Sequence, residues 1–209
     1  MWVKSTRNWL WLLLFGSLWG AMEVAGGEVL HRNGVPQASV FLTAWALFVL
    51  AVSRGVLNRP GTSSAVGALA ALYKLANAAP FFCHLLGIFF VGLVFDVFAS
   101  LLLKQGRKAG WARASLSGAL TAYSGNVLFA VLMTFVARYK YWVGDGLVKF
   151  SRHILISGSF TALAACLLVP LGLRVGESGG AFVLRRPRTA MAGAAALTLV
   201  VWTLGRFIA

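Results

Sequence analysis

Seven apolar stretches of about the same length decide what this chain can fold into. They run Trp9–Leu30, Gln37–Leu57, Thr62–Ala79, Phe81–Leu103, Arg113–Ala137, Lys149–Leu173 and Ala190–Ile208. Each is near the roughly 20 residues a helix needs to cross a bilayer core of about 30 Å. The breaks between them carry turn formers: Asn33-Gly34-Val35-Pro36, Asn58-Arg59-Pro60-Gly61, Pro80 and Gly144-Asp145-Gly146. The third stretch is the weakest, being short, rich in Ala and Gly, and interrupted by Lys74. Only 11% of residues are charged, against about 25% in soluble domains. That is too little polar surface to cover a globule in water, so the bilayer is the solvent that fits.

Charge placement supports the count and gives an orientation. The net charge is +14, and the basic residues sit in the short segments between apolar runs. With the N-terminus in the cytoplasm, twelve Lys and Arg fall in inside segments and six in outside ones. If the third stretch failed to cross, the later segments would change sides and the bias would nearly vanish. The basic residues therefore read as topology signals and contacts with lipid headgroups, not as a nucleic-acid interface. Lys4 and Arg7 precede the first run without a small-x-small cleavage site after it, which predicts an uncleaved first span. Trp2, Trp9, Trp111 and Trp142 fall near span ends, as an aromatic belt would place them. Cys83 and Cys166 lie in apolar runs and form no disulfide framework. The expected fold is an all-α membrane bundle and a single transmembrane domain over 1–209. It has a core over 9–173 and an additional C-terminal span near 190–208.

Ionisable residues inside spans cost about 2.5–3.5 kcal/mol each at the helix centre, so they should face the bundle interior and find partners. Glu23, Lys74 and Asp96 are such residues. At about 1.5 Å per residue, Glu23, Lys74 and Asn126 lie at similar depths, about 21, 18 and 20 Å from the cytoplasmic ends of their spans. Glu23 is thus the expected partner of Lys74, with Asn126 able to join by hydrogen bonding. Asp96, at about 10 Å, is within reach of an Arg from the 104–113 loop. Two readings of the Glu23–Lys74 pair stand: an ion pair fixing helix register, or a ligand site where Lys74 meets an anionic group or Glu23 a cationic one. On span 1, Gly16, Gly20, Glu23 and Gly27 share one narrow face. Gly16-x-x-x-Gly20 is a close-approach motif for another helix.

A second polar group gathers toward the outer end: Glu28, His31, His84 and His153. Imidazole and carboxylate suit a transition metal, so these four are the candidate metal ligands. An uncoordinated rim, since histidine is common at membrane interfaces, is the plainer reading, and the lining of an organic-ligand pocket is the third. Ser117, Thr121 and Ser124, like His153, Ser157 and Thr161, form hydroxyl stripes expected to bond to their own or neighbouring helices. No H-E-x-x-H or P-loop pattern is present. Neither catalysis nor a cofactor is expected.

Span 1 and the turn after it read Phe15-Gly16-Ser17-Leu18-Trp19-Gly20-Ala21-Met22-Glu23, Gly27-Glu28-Val29-Leu30-His31 and Gly34-Val35-Pro36; span 3 carries Leu72-Tyr73-Lys74-Leu75, with Pro80 beyond. Over residues 9–173 this resembles the substrate-binding S components of energy-coupling-factor transporters. Those are small bundles, typically of six helices, and the seventh span departs from that pattern. The resemblance implies a bacterial-type cytoplasmic membrane and a vitamin or metal ion bound near the outer side. It also implies docking through Gly16 and Gly20 on a transmembrane coupling subunit, with ATPase subunits as separate chains. The expected ligand-binding set is Glu23, Lys74, Asn126, Glu28, His84 and His153. An intramembrane enzyme acting on a lipid-linked substrate, and a scaffold whose charges only set register, are the competing functions.

Overall fold

The structure, a computed structural model, describes residues 6–75, 82–103, 110–144 and 146–208; within these, the side chains of 6, 7, 31, 82, 83, 141, 182–184 and 204–208 are not described. The described residues form seven long helices and no strand. Helix α1 runs Thr6–Ala21, passes through a π-helical turn Met22–Gly26, and continues as Gly27–Arg32. Helices α2 (Ala38–Leu57), α3 (Thr62–Lys74) and α4 (Phe82–Leu102) follow. Helix α5 runs Trp111–Val131 and ends in a second π turn, Leu132–Val136; a short helical turn, Lys140–Val143, comes next. Helix α6 comprises Gly146–Arg152, a third π turn His153–Ser157, and Gly158–Arg185, and α7 is Pro187–Ile208. Five of these contain segments long and apolar enough to cross a membrane: Asn8–Leu30, Ala38–Leu57, His84–Leu102, Trp111–Val136 and Gly146–Ala181. The chain is an all-α polytopic membrane protein.

Contacts between helices fix their directions. Gly16 sits against Val66 and Leu69, and Gly20 against Tyr73, so α1 and α3 are parallel. Ser64 meets Asp96 and Gly67 meets Gly92, so α3 and α4 are antiparallel. Ser115 pairs with Cys166 and Tyr123 with Ser159, so α5 and α6 are antiparallel. Helix α3 therefore reverses the chain, although it has only 13 described residues, about 20 Å of helix. Asn58 (φ 42°) and Gly61 (φ 85°) supply the left-handed backbone of the tight α2–α3 turn. Pro80, the break expected between spans 3 and 4, lies outside the described residues.

Several expectations are corrected. The sixth helix does not end near Leu173 but continues to Arg185, so most of the expected cytoplasmic segment after it is helical. That extension carries Gly176, which packs with Gly172 against α2: a β-carbon at Gly176 would lie 2.2 Å from the Val52 carbonyl oxygen, and one at Gly172 2.8 Å from that of Phe48. Backbones so close need glycine, and in a membrane close approach is what holds helices together. Among the described residues Asp96 takes its partner from α2; residues 104–109 of the loop expected to supply an arginine lie outside them. Arg54 Nη1 lies 3.1 Å from Asp96 Oδ1, and both side chains are buried. Arg54 also donates to Ser100 Oγ and the Arg59 carbonyl, while Asp96 accepts from the Ser64 amide and hydroxyl. Helix α7 packs against α1 and α3: Trp202 Nε1 donates to Ser17 Oγ at 2.9 Å, and Tyr73 Oη donates to the Val201 carbonyl at 2.9 Å.

Candidate functional site

The end of the bundle that holds the α1 π turn contains a partly open chamber of about 690 Å³. This lies within the range of about 300–1,000 Å³ usual for small-ligand sites. All six residues expected from the sequence to bind ligand line it. Glu23 and Glu28 come from α1, Lys74 from α3, His84 from α4, Asn126 from α5 and His153 from α6. Ser39 and Thr43 of α2 complete one polar wall, and Thr121 of α5 lies across from them. Past Ala46 and Val91, which line the chamber, come Leu50 on α2 and Phe95 on α4, both fully buried. The Arg54–Asp96 pair follows one turn further on. The chamber is thus closed on that side first by apolar packing and then by an ion pair.

The charged groups do not pair as expected. Lys74, only 8% exposed, donates to the main-chain oxygen of Glu23, inside the π turn. The Glu23 carboxylate instead accepts from Trp19 Nε1 at 3.1 Å, and its other oxygen accepts nothing among the described residues. No Glu23–Lys74 ion pair within 4.0 Å is formed; the pairs among the described residues are Arg32–Glu28 and Arg54–Asp96. Asn126 does not join the two charges by hydrogen bonding, because its amide nitrogen donates to the Ala122 carbonyl at 2.8 Å, one turn back. Gly27 backs onto the ammonium: a β-carbon there would lie 3.8 Å from Lys74 Nζ.

The expected metal cluster is not assembled by the described residues. No group of three His, Cys, Asp or Glu among them is placed to hold an ion. Glu28 is engaged with Arg32 at 2.7 Å. His153 packs between rings, 5.0 Å from Trp142 and 5.6 Å from Phe129. The side chain of His31 lies outside the described residues.

Docking through Gly16 and Gly20 is also corrected. Helix α3 of the same chain covers that face, with Leu69 Cβ at 2.5 Å and Tyr73 Cβ at 2.5 Å from the positions β-carbons would take. The two glycines serve internal packing and are closed to a second subunit. The hydroxyl stripes behave as expected in part: Thr121 bonds the Ser117 carbonyl, Thr161 that of Ser157, and Ser157 donates to Gln37 Oε1, whereas the buried Ser117 hydroxyl has no partner among the described residues.

Aromatic side chains are the part of the site that sequence reasoning missed. Trp19, Phe129, Tyr139 and Trp142 all line the chamber. Trp142 was expected in an interfacial belt, yet its ring meets Phe129 edge-on at 5.5 Å. By contrast Trp9 and Trp111 are exposed, with Arg174 stacked on Trp111 at 4.8 Å. Two of the three π turns contain chamber residues, Glu23 and His153. Such turns recur at functional sites because the extra residue re-aims the side chains around it. The arrangement can bind a small solute through charge, hydrogen bonding and ring contacts. Comparison of the chain with family models, with curated proteins and with solved structures gives no match to any of them.

Proposed function

We propose that this chain captures a small solute in the membrane, as the substrate-binding subunit of a transporter resembling the energy-coupling-factor S components. One observation carries the reading: six polar residues from five helices converge on a single chamber of about 690 Å³. Intramembrane charges are costly, and when they face a common cavity the default explanation is a ligand. The positive-inside bias puts the chamber in the outer half of the bilayer, where a solute would arrive. The chain has no nucleotide-binding motif, so the energy source would be another chain. A coupling subunit would have to dock on a face other than that of Gly16 and Gly20.

Glu23→Gln provides the test. Glutamine keeps an oxygen for the Trp19 indole but removes the charge. Solute binding should fall by about tenfold or more, with the wild-type melting temperature retained. Unchanged binding would remove Glu23 from the site. Loss of folded protein would assign the carboxylate to helix register instead.

A further inference from the structure

Two parts of the chamber lining differ in chemistry. One is the Lys74 ammonium, with three hydrogen-bond donors. Its contact is a main-chain carbonyl, which supplies an acceptor but no counter-charge. Neither nearby carboxylate contacts it within 4.0 Å: Glu23 accepts from the Trp19 indole through one oxygen, its other oxygen accepting nothing among the described residues, and Glu28 pairs with Arg32. A buried cation without a contacting anion is costly, and an incoming anion relieves that cost.

The other is a cluster of three rings. Trp142 meets Phe129 at an interplanar angle of 78° and His153 at 76°. Edge-on clusters of this kind leave faces and edges on which another planar ring packs well. Lys149 already lies over Trp142, 5.9 Å from the ring centroid, so a cationic ligand would meet repulsion there. Asn126, which also lines the chamber, uses one N–H of its amide on the Ala122 carbonyl, and its amide oxygen can accept from a ligand.

We propose that the chamber takes a planar, ring-bearing organic acid, with its carboxylate on the Lys74 ammonium and its ring among Phe129, Trp142 and His153. The proposal rests on the capture reading and narrows it to one chemical class.

Matched pairs that share a ring and differ only in charge test it. Benzoate and benzamide, nicotinate and nicotinamide, and indole-3-acetate and indole-3-acetamide would be titrated into the full chain in mild detergent, and any solute retained through purification would be identified. At least one acid should bind, with its amide weaker by about 10- to 100-fold, the worth of a charge-assisted hydrogen bond. Lys74→Met should erase that difference, and Phe129→Leu should weaken acid and amide alike. If Lys74→Met does not fold, the acid–amide comparison on the unaltered protein still decides. Equal binding of acid and amide, or an acid preference that survives Lys74→Met, overturns the assignment. A chamber that holds only uncharged or cationic solutes overturns the acid class and leaves capture standing. A chamber that holds no solute, added or retained, overturns capture itself.

Discussion

Asp96→Ala should destabilise the protein by about 3–5 kcal/mol, the cost of leaving a buried charge without its partner. Arg54 would then lie 2% exposed with its counter-ion gone. Its remaining acceptors, Ser100 Oγ and the Arg59 carbonyl, carry no charge. Ser64 would lose an acceptor for both its amide and its hydroxyl. Arg54→Met should cost a similar amount for the converse reason. The double variant Arg54→Met with Asp96→Leu should recover most of the loss, since well-packed apolar residues often match a buried pair. Denaturant unfolding in mild detergent, run as a double-mutant cycle, reads the coupling. Additive single effects would show that the two side chains act independently.

The second large effect is expected where α2 and α6 cross. Gly176→Val places a branched side chain where even a β-carbon would sit 2.2 Å from the Val52 carbonyl oxygen and 2.9 Å from Gly55 Cα. Both atoms are main chain, so relief requires the helices to part. The cost should be about 3 kcal/mol or more, at the upper end for overpacking, and little folded protein should be recovered. Gly180→Ala lies one turn further along the same row. The nearest atom to its β-carbon would be Val56 Cα at 3.6 Å, an ordinary contact. That variant should fold with a melting temperature close to the wild type. Equal tolerance of both substitutions would mean the crossing is looser than described.

The bundle was legible in the sequence because bilayer thickness imposes a length on every apolar run and the positive-inside rule constrains their number. The chamber was legible in part for a related reason. Glu23, Lys74 and Asn126 are costly at their depths, and cost alone predicts that they face inward together. The partners of those charges were not legible. Depth along a straight helix carries no information about rotation, and the π turn at Met22–Gly26 shifts the register beyond Glu23 with no sequence signal stronger than Gly26-Gly27. Arg54 was passed over as a partner for Asp96 because a basic residue near a span end reads as a topology charge, yet it sits in the last turn of α2 with its side chain buried. The Gly172–Gly176 crossing was visible as a small-x-x-x-small pattern, but it ran into residues read as a loop. Trp142 was assigned to the interface because its position in sequence is that of a belt residue; only the fold of residues 137–144 turns it toward the chamber.

Native mass spectrometry of the gently extracted full chain tests most directly whether the chamber is a binding site. One small solute should be retained at up to one copy per chain, released on activation, and absent from Glu23→Gln and Lys74→Met prepared in the same way. A wild-type chain that is empty in every preparation, and that takes up no added solute, would contradict the binding function and leave the buried charges as elements of helix register alone.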